Sequence, residues 1–399
     1  MSTAGVARPA TCDVVIAGGA VMGSAVAYFL AADPDFGGSI LVVERDPGYG
    51  ACATTRSWGG IRQQFSAPEN VRMSLFGLEF VRRAGELLAV DGVAPDLGFK
   101  EQGYLFLASA AGRATLAANV RAQAALGAQI SFLEPGELAA RFSWLALDGL
   151  AAGAYGERGE GWIDPASLLH GFRRKAAALG ARFVRDEVVG VDIARGRVAG
   201  VRLARRGPLA CGGLVNAAGP GAGALARLAG VDLPVAPRKR TTFVFDCRAP
   251  LPPLPLTIDP SGVAVRPESG QYIAIVPPPV DRESDAADLE PDHGLFDEII
   301  WPALARRVPA FEAIKVTGAW VGHYDYNAFD RNAILGQHPE IAGLYFCNGF
   351  SGHGLQQAPA AGRAVAEVIA HGAYRTLDLS ALSYARIASG RPVREANVV

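Results

Sequence analysis

The sequence has few lysines, few cysteines and no excess of charge of either sign. Its 38 basic residues include only four lysines, namely Lys100, Lys175, Lys239 and Lys315. The five cysteines form no C-x-x-C pair, which argues against a disulfide framework or a structural zinc site and favours a reducing compartment. The formal net charge is −1, which indicates neither a nucleic-acid surface nor an anionic membrane face. We therefore expect the partner to be a small molecule.

Targeting, membrane and metal signals are also lacking. Residues 1–11, MSTAGVARPAT, contain no apolar core of a signal peptide, so we predict a cytoplasmic protein. A run of 19 uncharged residues, 14–32, is long enough for a membrane span, but its glycines predict a strand-to-helix turn. No group of histidine, cysteine and carboxylate residues has metal-ligand spacing. We predict neither a transmembrane segment nor a metal.

Glycine, in contrast, is abundant, with 48 residues, and its first cluster follows a β-branched run that predicts a buried strand. Gly18 and Gly19 lie in a predicted turn before a helix over residues 21–32, and Gly23 lies in the first turn of that helix. A second predicted strand ends at Glu44, 21 residues past Gly23. The turn is G-x-A-x-x-G, with Ala20 as its middle residue, and by itself would also suit an ordinary tight turn. Strand, helix and acid together favour a dinucleotide site.

Later segments predict two further glycine turns and a change of architecture. Residues 214–217 read as a strand that runs into Ala218-Gly219, and NGFSGHGLQQA precedes a predicted helix over residues 359–370. Prolines and short alternating runs after Leu233 predict antiparallel strands. We expect residues 138–154 to be irregular. The basic run 238–240 is interpreted as solvated, the alternative being contact with an acidic substrate or redox partner.

Three stretches together resemble the D-amino-acid oxidase superfamily of FAD enzymes, in the branch with glycine oxidase, sarcosine oxidase and sarcosine dehydrogenase. They are VVIAGGAVMGSAVAYFLA with VVERD, LVNAAGPGA, and GLYFCNGFSGHGLQQAPAAGRAVAEVI. SWGGIRQQFSAPENVRMS and the tail are especially similar to a subgroup with a mitochondrial member and bacterial relatives. The resemblance covers nearly the whole chain.

This resemblance implies an α/β and α+β fold, with a discontinuous Rossmann-like FAD-binding domain and a mixed, largely antiparallel substrate domain. The implied boundaries are residues 10–93, 157–232 and 331–375 for the FAD-binding domain, 94–156 and 233–330 for the substrate domain, and 376–399 for a C-terminal tail.

The resemblance also implies which residues contact FAD. The first turn would meet the pyrophosphate, Glu44 the ribose, residues 54–62 the flavin, Ala218 and Gly219 the adenosine end, and residues 349–356 the pyrimidine edge of the flavin. The full set is Gly18, Gly19, Ala20, Val21, Met22, Gly23, Glu44, Arg45, Thr54, Thr55, Arg56, Ser57, Trp58, Gly59, Gly60, Ile61, Val188, Ala218, Gly219, Gly349, Gly352, His353, Gly354, Leu355 and Gln356. Backbone N–H groups of the last turn and helix would stabilise negative charge on the flavin.

Departures from the family pattern carry information about the reaction. Sarcosine oxidase attaches its flavin to a cysteine where this chain has Gly322 or His323, so we expect FAD to be noncovalent. The family's lysine for the substrate carboxylate is replaced by Gln356. None of the four lysines falls in the strand near residues 271–276, where the family places its oxygen-activating lysine. These differences favour a dehydrogenase that passes electrons to a carrier.

The implied function is oxidation of the C–N bond of a small N-alkyl or cyclic amino acid to an imine. The candidate catalytic residues are Arg62, Tyr324, His353 and Gln356. Arg62 could clamp a carboxylate or brace the flavin loop, Tyr324 could be plain packing, and His353 is expected to contact the cofactor. The alternatives are a 2-hydroxy acid dehydrogenase and a flavin-bound assembly protein with little turnover. The sequence does not predict an oligomeric state.

Overall fold

The computed structural model describes residues 11–396. The N-terminal segment, in which no signal peptide was expected, lies outside the described residues apart from Thr11. The strands in this range are β1 (Thr11–Ala17), β2 (Ile40–Glu44), β3 (Gly60–Ile61), β4 (Tyr104–Ala108), β5 (Ser131–Leu133), β6 (Ala152–Gly156), β7 (Gly161–Trp162), β8 (Arg182–Arg185), β9 (Val188–Ala194), β10 (Arg197–Leu203), β11 (Gly207–Asn216), β12 (Val235–Cys247), β13 (Leu256–Ile258), β14 (Ala264–Glu268), β15 (Gln271–Ile275), β16 (Ile314–Asn327), β17 (Ile334–Gln337) and β18 (Leu344–Asn348). The α-helices are α1 (Val21–Ala31), α2 (Pro68–Leu87), α3 (Arg113–Ala125), α4 (Pro135–Arg141), α5 (Pro165–Ala178), α6 (Ala222–Leu228), α7 (Trp301–Arg307), α8 (Gly354–His371) and α9 (Ala385–Ala388).

The first sheet has the strand order β17-β18-β11-β1-β2-β8. Its pairings from β18 to β8 are parallel, and β9 and β10 form an antiparallel extension on β11. Val15 and Ile16 of the central strand are fully buried, as a strand covered on both faces requires. The sheet confirms the predicted Rossmann-like part of the fold.

Helices α1, α5 and α8 pack together on one face of this sheet. The helix α1 is buried over ten of its eleven residues, which explains why its sequence is uncharged throughout. A Cβ placed at Gly362 of α8 would lie 2.6 Å from the Cβ of Ala25. Glycine at this point therefore allows α8 to lie directly against α1. The apolar run 14–32 is a strand and a core helix, as predicted.

The second sheet has the order β16-β12-β15-β14-β13-β4-β6-β5, and all its pairings except β13 with β4 are antiparallel. Its strands come from residues 104–156 and 235–327, whereas those of the first sheet come from residues 11–44, 182–216 and 334–348. This sheet confirms the mixed, largely antiparallel substrate half. The exact domain boundaries stay a prediction.

The end of the chain returns to the body of the protein. Arg386 forms an ion pair with Asp330 at 2.7 Å, and both side chains are buried. Asp330 also accepts a hydrogen bond from the Val393 N–H at 3.0 Å. We call residues 391–396 the C-terminal strap. Asp330 fixes the start of this strap beside the loop that follows β16.

Two predictions about local structure were wrong. Residues 138–154 include the end of α4 and the start of β6, because Glu134 and Glu137 form a capping box that starts α4 at Pro135. The last long helix begins at Gly354, so Pro359 lies inside it. Because proline has no N–H, only the helical hydrogen bond to the Leu355 carbonyl, in the first turn of α8, is missing. Among residues 11–396, no helix is long and apolar enough to cross a membrane.

Candidate active site

One large cavity lies where the parallel strands of the first sheet end and the second sheet begins. Its volume is about 1110 Å³, and its lining includes residues directly after β1, β2, β11 and β18. Ordinary small-molecule pockets measure roughly 300 to 1,000 Å³. The cavity therefore has room for an extended dinucleotide and a second small ligand. Ligands of open α/β sheets bind at such carboxyl ends, where the chain leaves neighbouring strands in opposite directions.

The turn after β1 requires glycine at two positions. A Cβ at Gly23 would lie 1.8 Å from the Gly18 carbonyl oxygen, and a Cβ at Gly18, whose φ is +100°, would lie 2.3 Å from the Ala217 carbonyl oxygen. Ala20, the departure from the motif, has a φ of −68° and lines the cavity without strain. The exception to the glycine pattern thus falls where the backbone permits a side chain.

The groups around the start of α1 fit the dinucleotide end of FAD. The N-cap residue Ala20 contributes no side-chain hydrogen bond and the first turn of α1 has no acidic residue, which suits a phosphate at this end of the helix. The Val21 N–H donates to the Thr54 hydroxyl at 3.4 Å. Glu44 accepts a hydrogen bond from the Gly19 N–H at 2.8 Å. The buried Tyr49 hydroxyl has no partner within residues 11–396, and a Cβ at Gly19 would lie 3.1 Å from it.

The third glycine turn, residues 349–354, packs against Tyr324 of the second sheet. Gly352 has a φ of +99°, and a Cβ there would lie 2.5 Å from the Tyr324 ring. Ser351 also has a positive φ, of 53°. The turn leads directly into α8, whose first residues line the cavity. Gly18, Gly219 and Gly352, from three distant segments, therefore surround one space.

The loop assigned to the flavin, residues 54–62, is tied to the second sheet. The Trp58 indole donates to Thr242 at 2.9 Å, and Arg266 donates to the Trp58 carbonyl at 2.9 Å. The Trp320 indole donates to the Arg56 carbonyl at 3.2 Å. These bonds hold the loop against the second sheet, and Thr54, Arg56, Ser57, Trp58, Gly60 and Arg62 of the loop line the cavity.

Arg62 has an aromatic environment and lacks an acidic partner in the described part of the chain. Its guanidinium carbon lies 4.1 Å from the centre of the Phe65 ring and 5.1 Å from that of Phe106. Its backbone N–H donates to the side-chain oxygen of Gln356 at 2.7 Å. A planar cation held on rings is suited to a substrate carboxylate. Gln356 contacts Arg62 through this bond.

A buried acid lies behind Arg62. Glu160 is fully buried and accepts hydrogen bonds from the Gln63 N–H at 2.5 Å and from the Gln64 amide at 2.6 Å. Burial raises the pKa of Glu160 to about 7, and the hydrogen bonds and the Arg62 charge oppose that rise. Sequence reasoning missed this residue, because nothing in the run RGEGW distinguishes a buried glutamate from an exposed one.

The interpretation of residues 238–240 as solvated was wrong for Arg240. Its side chain is 7% exposed and forms two hydrogen bonds with Asp281, at 2.9 Å and 2.6 Å. Its guanidinium carbon lies 4.9 Å from the centre of the Tyr324 ring. This pair fixes one side of Tyr324, and burial raises the pKa of the Tyr324 hydroxyl. Tyr324 therefore enters the cavity as a neutral phenol.

The two histidines of the cavity are both held neutral. Burial lowers the pKa of His353 to about 3, and its ring makes an edge contact with Phe65 at 5.1 Å between centres. Burial also lowers the pKa of His323, whose Nε2 has no hydrogen-bond partner within residues 11–396. A neutral His353 is compatible with the predicted cofactor contact.

Most of the predicted site residues line this one cavity. Those that do are Arg62, Tyr324, His353, Gln356, Gly18, Ala20, Val21, Met22, Glu44, Arg45, Thr54, Arg56, Ser57, Trp58, Gly60, Ala218, Gly219, Gly352, Gly354 and Leu355. Those outside the lining are Gly19, Gly23, Thr55, Gly59, Ile61, Val188 and Gly349. Gly23 and Gly59 shape turns by close backbone packing, and the Thr55 hydroxyl donates to the Tyr49 carbonyl. Val188, the first residue of β9, packs against the hydrophobic core of the first sheet.

Several lining residues were not predicted. Tyr104 and Phe106 both line the cavity; they lie two residues apart on β4 and therefore project from the same face of the strand. Phe65 lies in a loop without periodicity. The strap residues Arg394 and Glu395 lie more than 300 residues from Arg62 in sequence, so no local pattern could place them here.

One group among residues 11–396 brings three possible metal ligands together. Side-chain atoms of Asp33, Asp35 and His371 lie within 4.8 Å of one another. His371 Nε2 already lies at hydrogen-bond distance from Asp33, at 2.8 Å, and none of the three lines the cavity. The absence of a metal stays a prediction.

The similarity to known proteins covers the segments that form both sheets. The profile of the family described as DAO, FAD dependent oxidoreductase, matches residues 13–368. FAD-dependent oxidoreductase domain-containing protein 1 of Bos taurus is 42% identical over 422 residues, with 97% of this chain and 87% of that protein covered. Glycine oxidase of Geobacillus kaustophilus is 27% identical, with 90% and 92% covered. The crystal structure of L-proline dehydrogenase from P. horikoshii has a TM-score of 0.82 at 25% identity, with 97% and 100% covered.

Proposed function

Because this chain belongs to the DAO family of FAD dependent oxidoreductases, we propose that it oxidises the C–N bond of a small N-alkyl or cyclic amino acid to an imine. This membership confirms the family and the FAD cofactor that the resemblance implied. FAD, when bound, supplies the acceptor for the hydride that leaves the α-carbon, and water then hydrolyses the imine.

The observation that carries this proposal is the position of Arg62. Its guanidinium lies over Phe65 at 4.1 Å, in the same cavity as the three glycine turns. A cation in an apolar surrounding binds an amino-acid carboxylate strongly, because little water competes for it. Binding the carboxylate here would orient the α-carbon toward the flavin side of the cavity.

The remaining residues would bind and exclude water rather than transfer a proton. His353 is neutral across the physiological range, so it would not repel the positive charge that develops on the substrate nitrogen. Tyr104 and Phe106 are stacked, with ring centres 5.4 Å apart, and would pack against the apolar part of the substrate. A ring-shaped or N-alkyl substrate suits such walls, and the similarity to an L-proline dehydrogenase supports a cyclic substrate.

The lysine content favours a dehydrogenase over an oxidase. Within residues 11–396 no lysine lines the cavity, and Lys239 is paired with Asp288 at 2.8 Å. A fixed ammonium group above a flavin would promote its reaction with oxygen, by stabilising negative charge. Without such a group we expect electrons to pass to a carrier.

The test is anaerobic reduction of the flavin. The purified holoenzyme is mixed with sarcosine, N-methyl amino acids and L- and D-proline, and in parallel with 2-hydroxy acids of matched size. We expect the flavin absorbance near 450 nm to bleach with at least one amino acid and with no hydroxy acid. Bleaching only by hydroxy acids, or by none of the compounds, would refute amine oxidation. Readmission of air then distinguishes a fast oxidase from a dehydrogenase.

A further inference from the structure

The loop that carries Arg62, residues 62–67, has no regular secondary structure, yet side chains from distant segments hold it along its length. The Arg62 N–H donates to Gln356, the Gln63 N–H donates to Glu160, and the Phe65 carbonyl accepts from Gln123 at 2.9 Å. The position of the loop backbone therefore depends on groups outside the loop, and the Arg62 guanidinium donates within the loop to the Gln64 carbonyl at 2.5 Å.

The last of these groups comes from the C-terminal strap. The Glu395 carboxylate accepts hydrogen bonds from the Ser66 N–H and the Ser66 hydroxyl, both at 2.7 Å, and from the Ala67 N–H at 3.3 Å. It also accepts one from the Asn70 amide at 2.5 Å. Ala67 is the N-cap residue of α2 and offers no side-chain cap of its own. Glu395 thus serves as the cap of a helix more than 300 residues away in sequence.

The strap is held independently on both sides of Glu395. The Val393 N–H donates to Asp330 at 3.0 Å, and the Val393 carbonyl accepts from Asn332 at 2.9 Å. The Ala396 carbonyl accepts from Asn119 of α3 at 2.7 Å. The strap therefore runs from the loop after β16 to α3 and contributes to the lining of the cavity.

We propose that Glu395 is a positioning residue for the substrate-binding loop, and that the C-terminal strap is a wall of the substrate chamber. Pro392, Arg394, Glu395 and Ala396 all line the cavity beside Arg62. Glu395 acts through Ser66 and Ala67, which end the loop, and does not touch the reacting atoms. The inference rests on the proposed function only in giving Arg62 the substrate carboxylate.

The first experiment measures how well the loop amides are protected from exchange with solvent, and it needs no substrate. Glu395→Ala and Glu395→Gln holoenzymes are compared with the parent by hydrogen exchange of the Ser66 and Ala67 amides. We expect exchange at least about tenfold faster in Glu395→Ala, because these amides lose their acceptor, and an intermediate rate in Glu395→Gln, which keeps one oxygen. Unchanged exchange in both variants would overturn the proposal.

The second experiment measures ligand binding in the chamber with pyrrole-2-carboxylate. This compound has the five-membered nitrogen ring and the carboxylate of proline, but its ring is aromatic and has no C–N bond that can be dehydrogenated. Its Kd is obtained from the shift of the flavin spectrum. We expect Kd to rise about tenfold or more in Glu395→Ala and less in Glu395→Gln, with the FAD content unchanged, since a charge-assisted hydrogen bond contributes about this much.

A matched control is Glu69→Gln, which removes a carboxylate from the first turn of the same helix. We expect it to leave Kd and exchange at Ser66 unchanged. If Kd in Glu395→Ala equals that of the parent, or if Glu69→Gln has the same effect, the positioning role is wrong. Should Glu395→Ala lose its FAD or fail to fold, Glu395→Gln decides by the same two measurements. A parent enzyme that binds no amino-acid analogue would refute the proposed function, while the exchange rates would still test Glu395.

Discussion

The two ends of the cavity are built differently. The dinucleotide end consists largely of backbone, namely the glycine turns at Gly18 and Gly219 and the N-terminus of α1. The substrate end consists of side chains, including Arg62, Tyr324 and Glu395, that arrive from separate parts of the chain. A backbone cradle recognises a phosphate chain common to all FAD enzymes. Side chains set which small molecule is accepted, so this end is where relatives of the same fold can differ.

The difference also appears in what fixes each end. At the dinucleotide end the constraint is steric, because a methyl group at Gly23 would overlap the Gly18 carbonyl. At the substrate end the constraint is a set of hydrogen bonds from Gln356, Glu160 and Glu395 to one loop. Steric constraints do not relax under substitution, whereas a hydrogen-bonded loop can shift. We therefore expect changes at the first end to abolish cofactor binding and changes at the second end to be graded.

The largest effect is expected for Gly23→Ala. Its Cβ would lie 1.8 Å from the Gly18 oxygen, so the turn must open. We expect loss of most bound FAD and destabilisation by about 3 kcal/mol. The ratio of flavin to protein absorbance measures the first, and thermal unfolding measures the second. Gly37→Ala, where a Cβ meets nothing within 4 Å, is the control. A Gly23→Ala protein that keeps its full FAD content would show that the turn is not sterically fixed.

Arg62→Ala comes next and acts at the other end. We expect the KM for the amino acid to rise between about tenfold and a hundredfold, because a charge-assisted hydrogen bond to the carboxylate is lost, while FAD content stays constant. Arg62→Lys should recover only part of the lost substrate affinity. An ammonium group has no planar face that can lie over the Phe65 ring, as the guanidinium does at 4.1 Å. The measurement is the rate of anaerobic flavin reduction at a series of substrate concentrations. If Arg62→Ala instead loses FAD at an unchanged KM, the residue braces the flavin loop.

Glu160 gives the substrate end a pH dependence of stability. Burial raises its pKa from 4.5 to about 7, so the folded chain binds the proton more tightly than the unfolded chain. The free energy of unfolding therefore falls as the pH rises from about 4.5 through about 7, by up to on the order of 3 kcal/mol. Asp325, whose pKa burial raises to about 6, acts in the same direction. Urea unfolding from pH 5 to 8 should show a smaller fall for Glu160→Gln than for the parent; equal slopes would contradict this origin.

The smallest effect is expected for His353→Asn. Its pKa of about 3 keeps the imidazole neutral, so the substitution removes an edge contact with Phe65 and no charge. We expect the limiting rate of flavin reduction to fall about fivefold or less, with its pH dependence between 6 and 9 unchanged. A pH inflection that disappears in His353→Asn would instead make this histidine a proton acceptor.

Much of the fold was predictable from local pattern. The β-branched run before Gly18 predicted the central strand, and the glycines that follow it predicted the turn into α1. The two wrong elements have local causes. A capping box starts α4 at Pro135, so the helix extends into a segment predicted to be irregular. Pro359, the predicted first residue of the last long helix, lies inside α8.

The sequence by itself determined the glycine turn after β1, because a turn that brings backbone against backbone excludes side chains at fixed spacings, and Gly18 and Gly23 stand at those positions. Only the tertiary structure decided the substrate end. Burial turned Arg240 from an expected surface residue into the partner of Asp281, and folding placed Glu395 on Ser66 across the length of the chain. Such contacts depend on long-range packing, which leaves no periodic signal, and a charged residue reads the same in sequence whether water or a buried partner surrounds it.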